Sequence, residues 1–483
     1  YITRALGPDE YAKFVQMQFL FSTFITVFSL SIPSAVSRYS AEHAAKGEMQ
    51  RASGVLKTGF KTTIVMGMVA SAAMFLFSDQ LAGTVIGGSE SAGLVKLLAV
   101  SAGLSVAISP LSSYIYALQK FREYTLISVV NFAFWRASLV TALILGTGLY
   151  GLGFAWMVMS IASSIFLTIS ILRMAGKAES YPLAKLFSYS MPLVASTYIG
   201  FFSQWIDSLL LPYVGSMRML SMANIAGTLA NITLVLINSA STILFTHFVR
   251  VDTVDGRDSM LETGQRISRL LSYVFVPLGF FVGAISDLLV LLYAGGDFMQ
   301  AALFLRVLSP FMTTGAVFSI IWTNEVTAAG KTRILLLNTI VTLASYSILG
   351  IFLVPWLGEV GYLLTRILCS IVAFPYVWIK TKAIISVKFD FVSLLLSILI
   401  SMVIIVPATL FTIITSNYLL TLIISILGVA FYALILISFG LITKDEIRVI
   451  LRLFIQSLKF QVEAKNHHSN ENATFKLPIQ IDP

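Results

Sequence analysis

Apolar runs follow one another along almost the whole chain, at roughly 14–36, 59–85, 95–118, 125–148, 151–172, 186–211, 217–248, 270–293, 302–327, 334–356, 359–379, 391–414 and 417–441. Each holds about 20 residues or more, enough to cross the hydrocarbon core of a bilayer as a helix. Lipid offers the backbone no hydrogen-bond partner, so spans of this length must close their hydrogen bonds internally, as helices and not as strands. The chain is 57% hydrophobic and 11% charged, against about a quarter charged in a soluble domain. These values exclude a water-soluble fold and predict an all-α polytopic membrane protein with thirteen spans.

Lys and Arg in short loops stay on the cytoplasmic side, and here their distribution is lopsided. The segments 38–61, 120–122, 173–185, 250–269, 331–333, 380–388 and the tail after 443 carry 25 of the 32 Lys and Arg. The alternate loops carry Arg4, Lys13, Lys96, Arg218 and Arg306, and Arg136 and Arg366 lie inside spans. The C-terminus is therefore expected in the cytoplasm and Tyr1 outside. A first span is expected to precede Tyr1, giving fourteen, in a plasma-membrane protein. The net charge of +9 follows from this bias and requires no nucleic-acid partner. Cys369, the single cysteine, cannot form an intrachain disulfide.

One motif tests the alternative that the chain binds a nucleotide. "AAGKTR" at 328–333 contains Gly330-Lys331-Thr332, the close of a phosphate-binding loop. That loop needs a second glycine five residues upstream and a short strand before it; here the position is Glu325 and the preceding run is far too long for a strand. The motif has instead a second copy, "ALQKFR" at 117–122, which shares Ala, Lys and Arg 211 positions earlier. Both copies close an apolar run opened by a lone basic residue, Lys96 or Arg306. The repeat predicts two parallel halves: a first lobe over 1–180, a second over 181–388, and two additional helices over 389–442. Within 443–483, Thr443 and Glu446 have capping-box spacing and Ile447, Ile450, Leu451, Phe454 and Leu458 recur at helical spacing, predicting an amphipathic helix on the inner membrane surface and then a polar tail. Asp252, Asp255 and Asp258 read as a solvated cytoplasmic loop, and His467 and His468 are too isolated for a metal site. No catalytic constellation, cofactor motif or metal set is evident.

Polar residues inside spans are the functional candidates. Asn224, Asn231 and Asn238 recur every seven residues, so they share one side of a helix over about 21 Å; they either bond neighbouring helices or line a watery cavity. A similar row in the first lobe has Ser22, Thr26 and Ser29, with Gln16 and Gln18 above. Arg136, with Asn131 a little over a turn away, is too deep to reach the surface easily, and its guanidinium suits an anion such as phosphate. Arg366, Asp207 and Glu325 are further candidates, the two acids as sites for a coupling ion; Glu325 lies close enough in sequence to pair with Lys331 or Arg333.

"RALGPDEYAKF", followed by a span ending "PSAVSRYSAE", resembles the opening of polysaccharide and lipid-linked oligosaccharide flippases, the Wzx-type branch of the superfamily that also holds the MATE multidrug exporters. "IDSLLLPYVGSMRMLSMANIAG", "AALFLRVLSP" with "AAGKTR", and "LVPWLGEVGYLLTRI" are similar to second-lobe segments of that family. The resemblance implies two six-helix lobes around a central cavity plus two further helices. It implies alternating-access movement of a polyprenyl-pyrophosphate-linked glycan to the outer leaflet for surface polysaccharide synthesis, with no enzymatic step. Proton or sodium coupling, and contact with membrane lipids and with glycan polymerases or glycosyltransferases, are also implied. On this reading Arg136 and Arg366 supply cavity charge, with Asn131, Asn224, Asn231 and Asn238 beside them. A multidrug exporter, a peptidoglycan-precursor flippase and, less favoured, a membrane glycan polymerase or ligase are the alternatives; the exporter would favour an acidic cavity, and the polymerase a long outer loop.

Overall fold

The computed structural model describes residues 1–254, 256–331, 333–384, 388–415 and 417–441. The described residues are almost wholly helical: α1 Ile2–Ser29, α2 Ile32–Ala45, α3 Met49–Leu76, α4 Ser78–Leu81, α5 Ala92–Ala117, α6 Phe121–Ile144, α7 Gly148–Ala175, α8 Leu183–Gln204, α9 Ile206–Val214, α10 Met217–Val254, α11 Arg257–Ala284, α12 Ser286–Tyr293, α13 Gln300–Ala328, α14 Arg333–Ile384, α15 Phe391–Thr415 and α16 Tyr418–Ser438. Among the described residues, ten helices are long and apolar enough to cross a membrane, eleven if the bent pair α1–α2 counts as one span. Thirteen are expected from the sequence, and one further crossing comes from α14. The 52-residue α14 is two helices joined at Gly358, whose φ of 56° and ψ of −126° are not helical. A Cβ on Gly350 would lie 3.6 Å from Thr365 Cγ2, so the two halves of α14 run back along each other. The expected crossing over 186–211 is the broken pair α8 and α9, and the 22-residue α8 is not among the helices apolar enough to count.

Two expectations change. The first span does not begin near residue 14: α1 starts at Ile2, its backbone broken only at Gly7, and its helix ends where Leu30 and Ser31 adopt left-handed φ of 47° and 53°. The polar connection over 250–269 is not a loop. α10 runs on to Val254 and α11 starts at Arg257, so the chain reverses around Gly256, and its first-lobe counterpart reverses likewise around Gly47 between α2 and α3. Charged residues there ride on helices that project beyond the apolar run, because polarity marks the end of the membrane and not the end of the helix. The side chains of Asp252 and Asp255, and everything predicted after residue 441, lie outside the described residues.

The two copies of the exit motif end their helices in the same way, a C-cap that other helices here also use. Leu118, Gln119 and Lys120 donate to Tyr114, Tyr116 and Ile115; Ala329, Gly330 and Lys331 donate to Glu325, Thr327 and Val326, the same pattern 211 residues on. Both are helix C-caps with a left-handed residue after the last turn, Gln119 at φ 58° and Gly330 at φ 70°. The glycine and lysine that mimic a phosphate loop are therefore a helix terminator. A second correspondence is set 208 residues apart: α3 breaks at Phe77 before Ser78-Asp79, and α11 breaks at Ile285 before Ser286-Asp287, with nearly equal angles (φ −95°, ψ 18° and φ −98°, ψ 20°).

Three apolar clusters show how the lobes meet. One joins residues of both lobes, including Tyr11, Phe14, Leu98 and Trp156 from the first and Met222, Ala226, Phe298 and Phe304 from the second. All lie in the halves of their helices away from the basic connections. Toward the basic end the core divides. A first-lobe cluster is built on Ile32, Leu56, Tyr114 and Ile171, and a second-lobe cluster on Met260, Leu261, Ile321 and Trp322. Apolar burial is the main cohesive term at about 25 cal/mol per Å². It binds the lobes at one end and leaves them with separate cores at the other, except where α8 lies along α2. The added helices α15 and α16 pack against α11 through a polar ladder: Ser397 Oγ donates to the Ser272 carbonyl at 2.8 Å, and Tyr432 Oη to the Tyr273 carbonyl at 3.1 Å.

Candidate functional site between the lobes

The seam is closed at the end away from the basic connections. Tyr11 Oη donates to Asn224 Oδ1 at 2.9 Å, and its ring meets Phe298 edge-on with centroids 5.9 Å apart. Gln16, buried, donates through Nε2 to the Ser208 carbonyl at 2.8 Å, and Tyr213 Oη to the Thr84 carbonyl at 2.8 Å. Along α8, Tyr198 Oη donates to the Val27 carbonyl at 2.6 Å and the Arg38 guanidinium lies 4.4 Å over the Tyr189 ring. Beyond the membrane at the basic end, His43 and Arg51 hold the Glu48 carboxyl below the usual carboxylate range, the His43 hydrogen bond acting most strongly.

Below that seam, α10 has two sides. Ala226, Leu229, Ala230, Thr233 and Ile237 are buried, and Thr233 meets Thr313 of α13 at 2.9 Å. The other side carries Asn224, half-buried under Tyr11, then Thr228, Asn231 and Asn238, all exposed. This row starts at the contact between the lobes and runs down toward the divided end. The first-lobe row behaves differently. Ser22, Thr26 and Ser29 are half-buried, and Ser29 Oγ bonds the Thr26 carbonyl of its own helix at 3.2 Å.

Arg136 is exposed and has no ion pair among the described residues. Its guanidinium lies 4.8 Å over Trp135 and 5.0 Å over Phe132, and its charge reaches the hydroxyls of Tyr11 and of Tyr293 in the second lobe. Trp135 stacks edge-on with Trp156, centroids 5.4 Å apart, so an aromatic wall of α6 and α7 holds the cation just below the seam. Asn131, half-buried one turn closer to the basic end, accepts a hydrogen bond from Ser163 Oγ at 2.9 Å, fixing α6 to α7. A guanidinium placed on ring faces keeps its charge and its donors free for an anion.

Arg366 and Asp207, which sequence reasoning gave separate roles, form one ion pair. Asp207 also accepts hydrogen bonds from Tyr346 and from Tyr362 at 3.3 Å. This cluster ties α9 to both halves of α14. Glu325 has the opposite environment. It is fully buried, neither carboxyl oxygen has a hydrogen-bond partner, and it pairs with neither Lys331 nor Arg333, which lie past the Gly330 turn. Its Oε1 sits so close to Gly264 of α11 that a Cβ there would collide with it. Sequence reasoning passed over Tyr11, Asp287, Thr3 and the partners of Arg4 and Arg306. The repeated Ser-Asp pair at 78–79 and 286–287 was the available signal for Asp287, which pairs with Arg306.

Two helical lobes repeated in parallel, ten or more membrane-length helices, and a polar row running from a one-ended seam define a multi-pass membrane protein of the transporter fold seen in MATE proteins. Solved structures share it, among them the following two. An inward-facing multidrug-resistance MATE transporter of the MOP superfamily aligns with a TM-score of 0.65 and 14% identity, over 79% of this chain and 93% of its own. The lipid II flippase MurJ in an inward closed conformation aligns with a TM-score of 0.62 and 17% identity, over 90% and 94%. A short stretch of 74 residues is 27% identical to lipid II flippase MurJ of Bacillus subtilis (strain 168), spanning 15% of this chain and 14% of that protein. Residues 2–303 match the family described as Polysaccharide biosynthesis protein. The chain belongs to that family.

Proposed function

We propose that the protein moves a lipid-linked oligosaccharide, carried on a polyprenyl pyrophosphate, from the cytoplasmic to the outer leaflet by alternating access, without chemical conversion. The observation that carries this is the aromatic-backed guanidinium of Arg136, without an ion pair among the described residues, whose charge reaches the Tyr11 hydroxyl that bonds Asn224 at the head of the row. A pyrophosphate would take two parallel hydrogen bonds from Arg136, while the amides of Asn231 and Asn238 would meet sugar hydroxyls. The excess of Lys and Arg assigns the basic connections, and with them the C-terminus, to the cytoplasm and Tyr1 to the outside, so the lobes are joined at the outer end and divided at the inner one.

The exporter alternative is disfavoured by charge, since Asp207, one of the two acidic candidates within the spans, is already neutralised by Arg366. For coupling to a proton or sodium gradient, Asp207 and Glu325 are the candidates, and Glu325 is favoured because its oxygens are free of partners while those of Asp207 are engaged. Partners of the reading are the lipid carrier with its glycan, surrounding membrane lipids, and the polymerase or glycosyltransferases before and after it. Expression in a flippase-deficient strain tests it: surface glycan returns and lipid-linked precursor falls if the reading is right, and precursor stays accumulated despite membrane expression if it is wrong.

A further inference from the structure

The short helix α12 ends with carbonyls that its own lobe does not satisfy. A helix leaves its last four carbonyls without intrahelical partners. Here the following amides of Ala294 and Gly295 both turn back to the Val290 carbonyl, and no backbone N–H among the described residues reaches Leu291, Leu292 or Tyr293. All three are met from the other lobe. Arg4 Nη2 donates to the Leu291 carbonyl at 2.9 Å and the Leu292 carbonyl at 2.6 Å, and Thr3 Oγ1 donates to the Tyr293 carbonyl at 3.2 Å. Arg4 also lies against Gly295: a Cβ there would stand in van der Waals contact, 3.4 Å from Arg4 Cγ.

We propose that Thr3 and Arg4 form the latch that holds the outer mouth closed. The assignment of this end as outer rests on the function proposed above. The helix C-terminus carries a partial negative charge, and Arg4 makes no ion pair among the described residues, so its positive charge is directed at that terminus. α12 is itself anchored to its lobe, because Asp287 in its first turn pairs with Arg306 of α13. A pull on α12 is thus a pull on the second lobe. Other hydrogen bonds across the seam, such as Tyr11 with Asn224 and Tyr213 with Thr84, join neutral groups. When the lobes part here, three carbonyls lose their partners together, which makes the closed state cooperative and gives the outer mouth a threshold for opening.

The test uses the full-length protein with Cys369→Ala and a reporter, Thr228→Cys, on the exposed row of α10 below the seam. Labelling by a membrane-impermeant maleimide is measured from outside, in intact cells, and from inside, in inverted vesicles. With Arg4 present, labelling should come mainly from inside. With Arg4→Ala, outside labelling should rise about tenfold, the shift expected from losing about 1.4 kcal/mol of charge-assisted hydrogen bonding. Arg4→Lys, which keeps a charged donor, should stay closer to the parent, and Thr3→Val, which removes one of the three donors, should fall between the parent and Arg4→Ala. Outside labelling unchanged by Arg4→Ala, with the protein in the membrane at parental level, overturns the latch. A second reporter, Lys177→Cys, shows which face carries the basic connections: an error in sidedness exchanges the two arms, whereas an error about the latch removes the difference between the parent and Arg4→Ala in both.

Discussion

Gln119 and Gly330 occupy the same position of the same helix terminator, 211 residues apart, and both hold a left-handed backbone, at φ 58° and 70°. One does so as glycine and the other with a full side chain, which costs an L-residue about 1 kcal/mol. Gln119→Gly should therefore raise the apparent melting temperature in detergent, the gain reduced by the extra freedom glycine gives the unfolded chain. Gly330→Gln should lower it. Opposite signs at the two sites are the expected result in a thermal-shift or aggregation assay.

Arg366 and Asp207 stabilise only as a pair. Removing one partner leaves a half-buried charge and two tyrosine hydroxyls misdirected, so Arg366→Ala or Asp207→Ala should destabilise by about 2–3 kcal/mol, below the range for fully buried pairs because of their partial exposure. The double variant Asp207→Ala with Arg366→Ala should recover most of that loss. The check is a double-mutant cycle on thermal stability. Additive losses would break the link between α9 and α14 described above.

Glu325 and Gly264 are coupled through space. Gly264→Ala drives a methyl into the carboxyl oxygen and should cost about 1–2 kcal/mol by overpacking. In a Glu325→Ala background the same change should cost much less. Glu325→Gln should fold normally, and if Glu325 is the coupling site it should flatten the dependence of transport on an imposed proton gradient; transport with parental gradient dependence would remove it from that role.

The sequence made the membrane spans legible because twenty apolar residues admit few folds in lipid. It also showed two like helix ends, since the terminators at 117–122 and 328–333 need similar residues in similar places. Helix ends were not legible at 250–269, because charged side chains there extend a helix into water as readily as they form a loop. The site was legible as residue types and not as contacts. Asn224, Asn231 and Asn238 share a side by spacing alone, and Arg136 stood out by depth. The pairing of Arg366 with Asp207, 159 residues apart, depends on the reversal at Gly358, which no local pattern announces. Thr3 and Arg4 meet α12 through backbone carbonyls, and carbonyls leave no trace in residue identity.

Arg136 carries the central claim, and the most direct measurement is translocation of a polyprenyl-pyrophosphate oligosaccharide with a fluorescent sugar, in liposomes holding the purified protein. Flipping well above protein-free liposomes is the predicted result. Arg136→Ala should lose about tenfold or more, the scale of one charge-assisted contact to phosphate, with Arg136→Lys between the two and both variants folding as the parent does. Flipping no faster than in protein-free liposomes, or equal rates for the parent and Arg136→Ala, would contradict it.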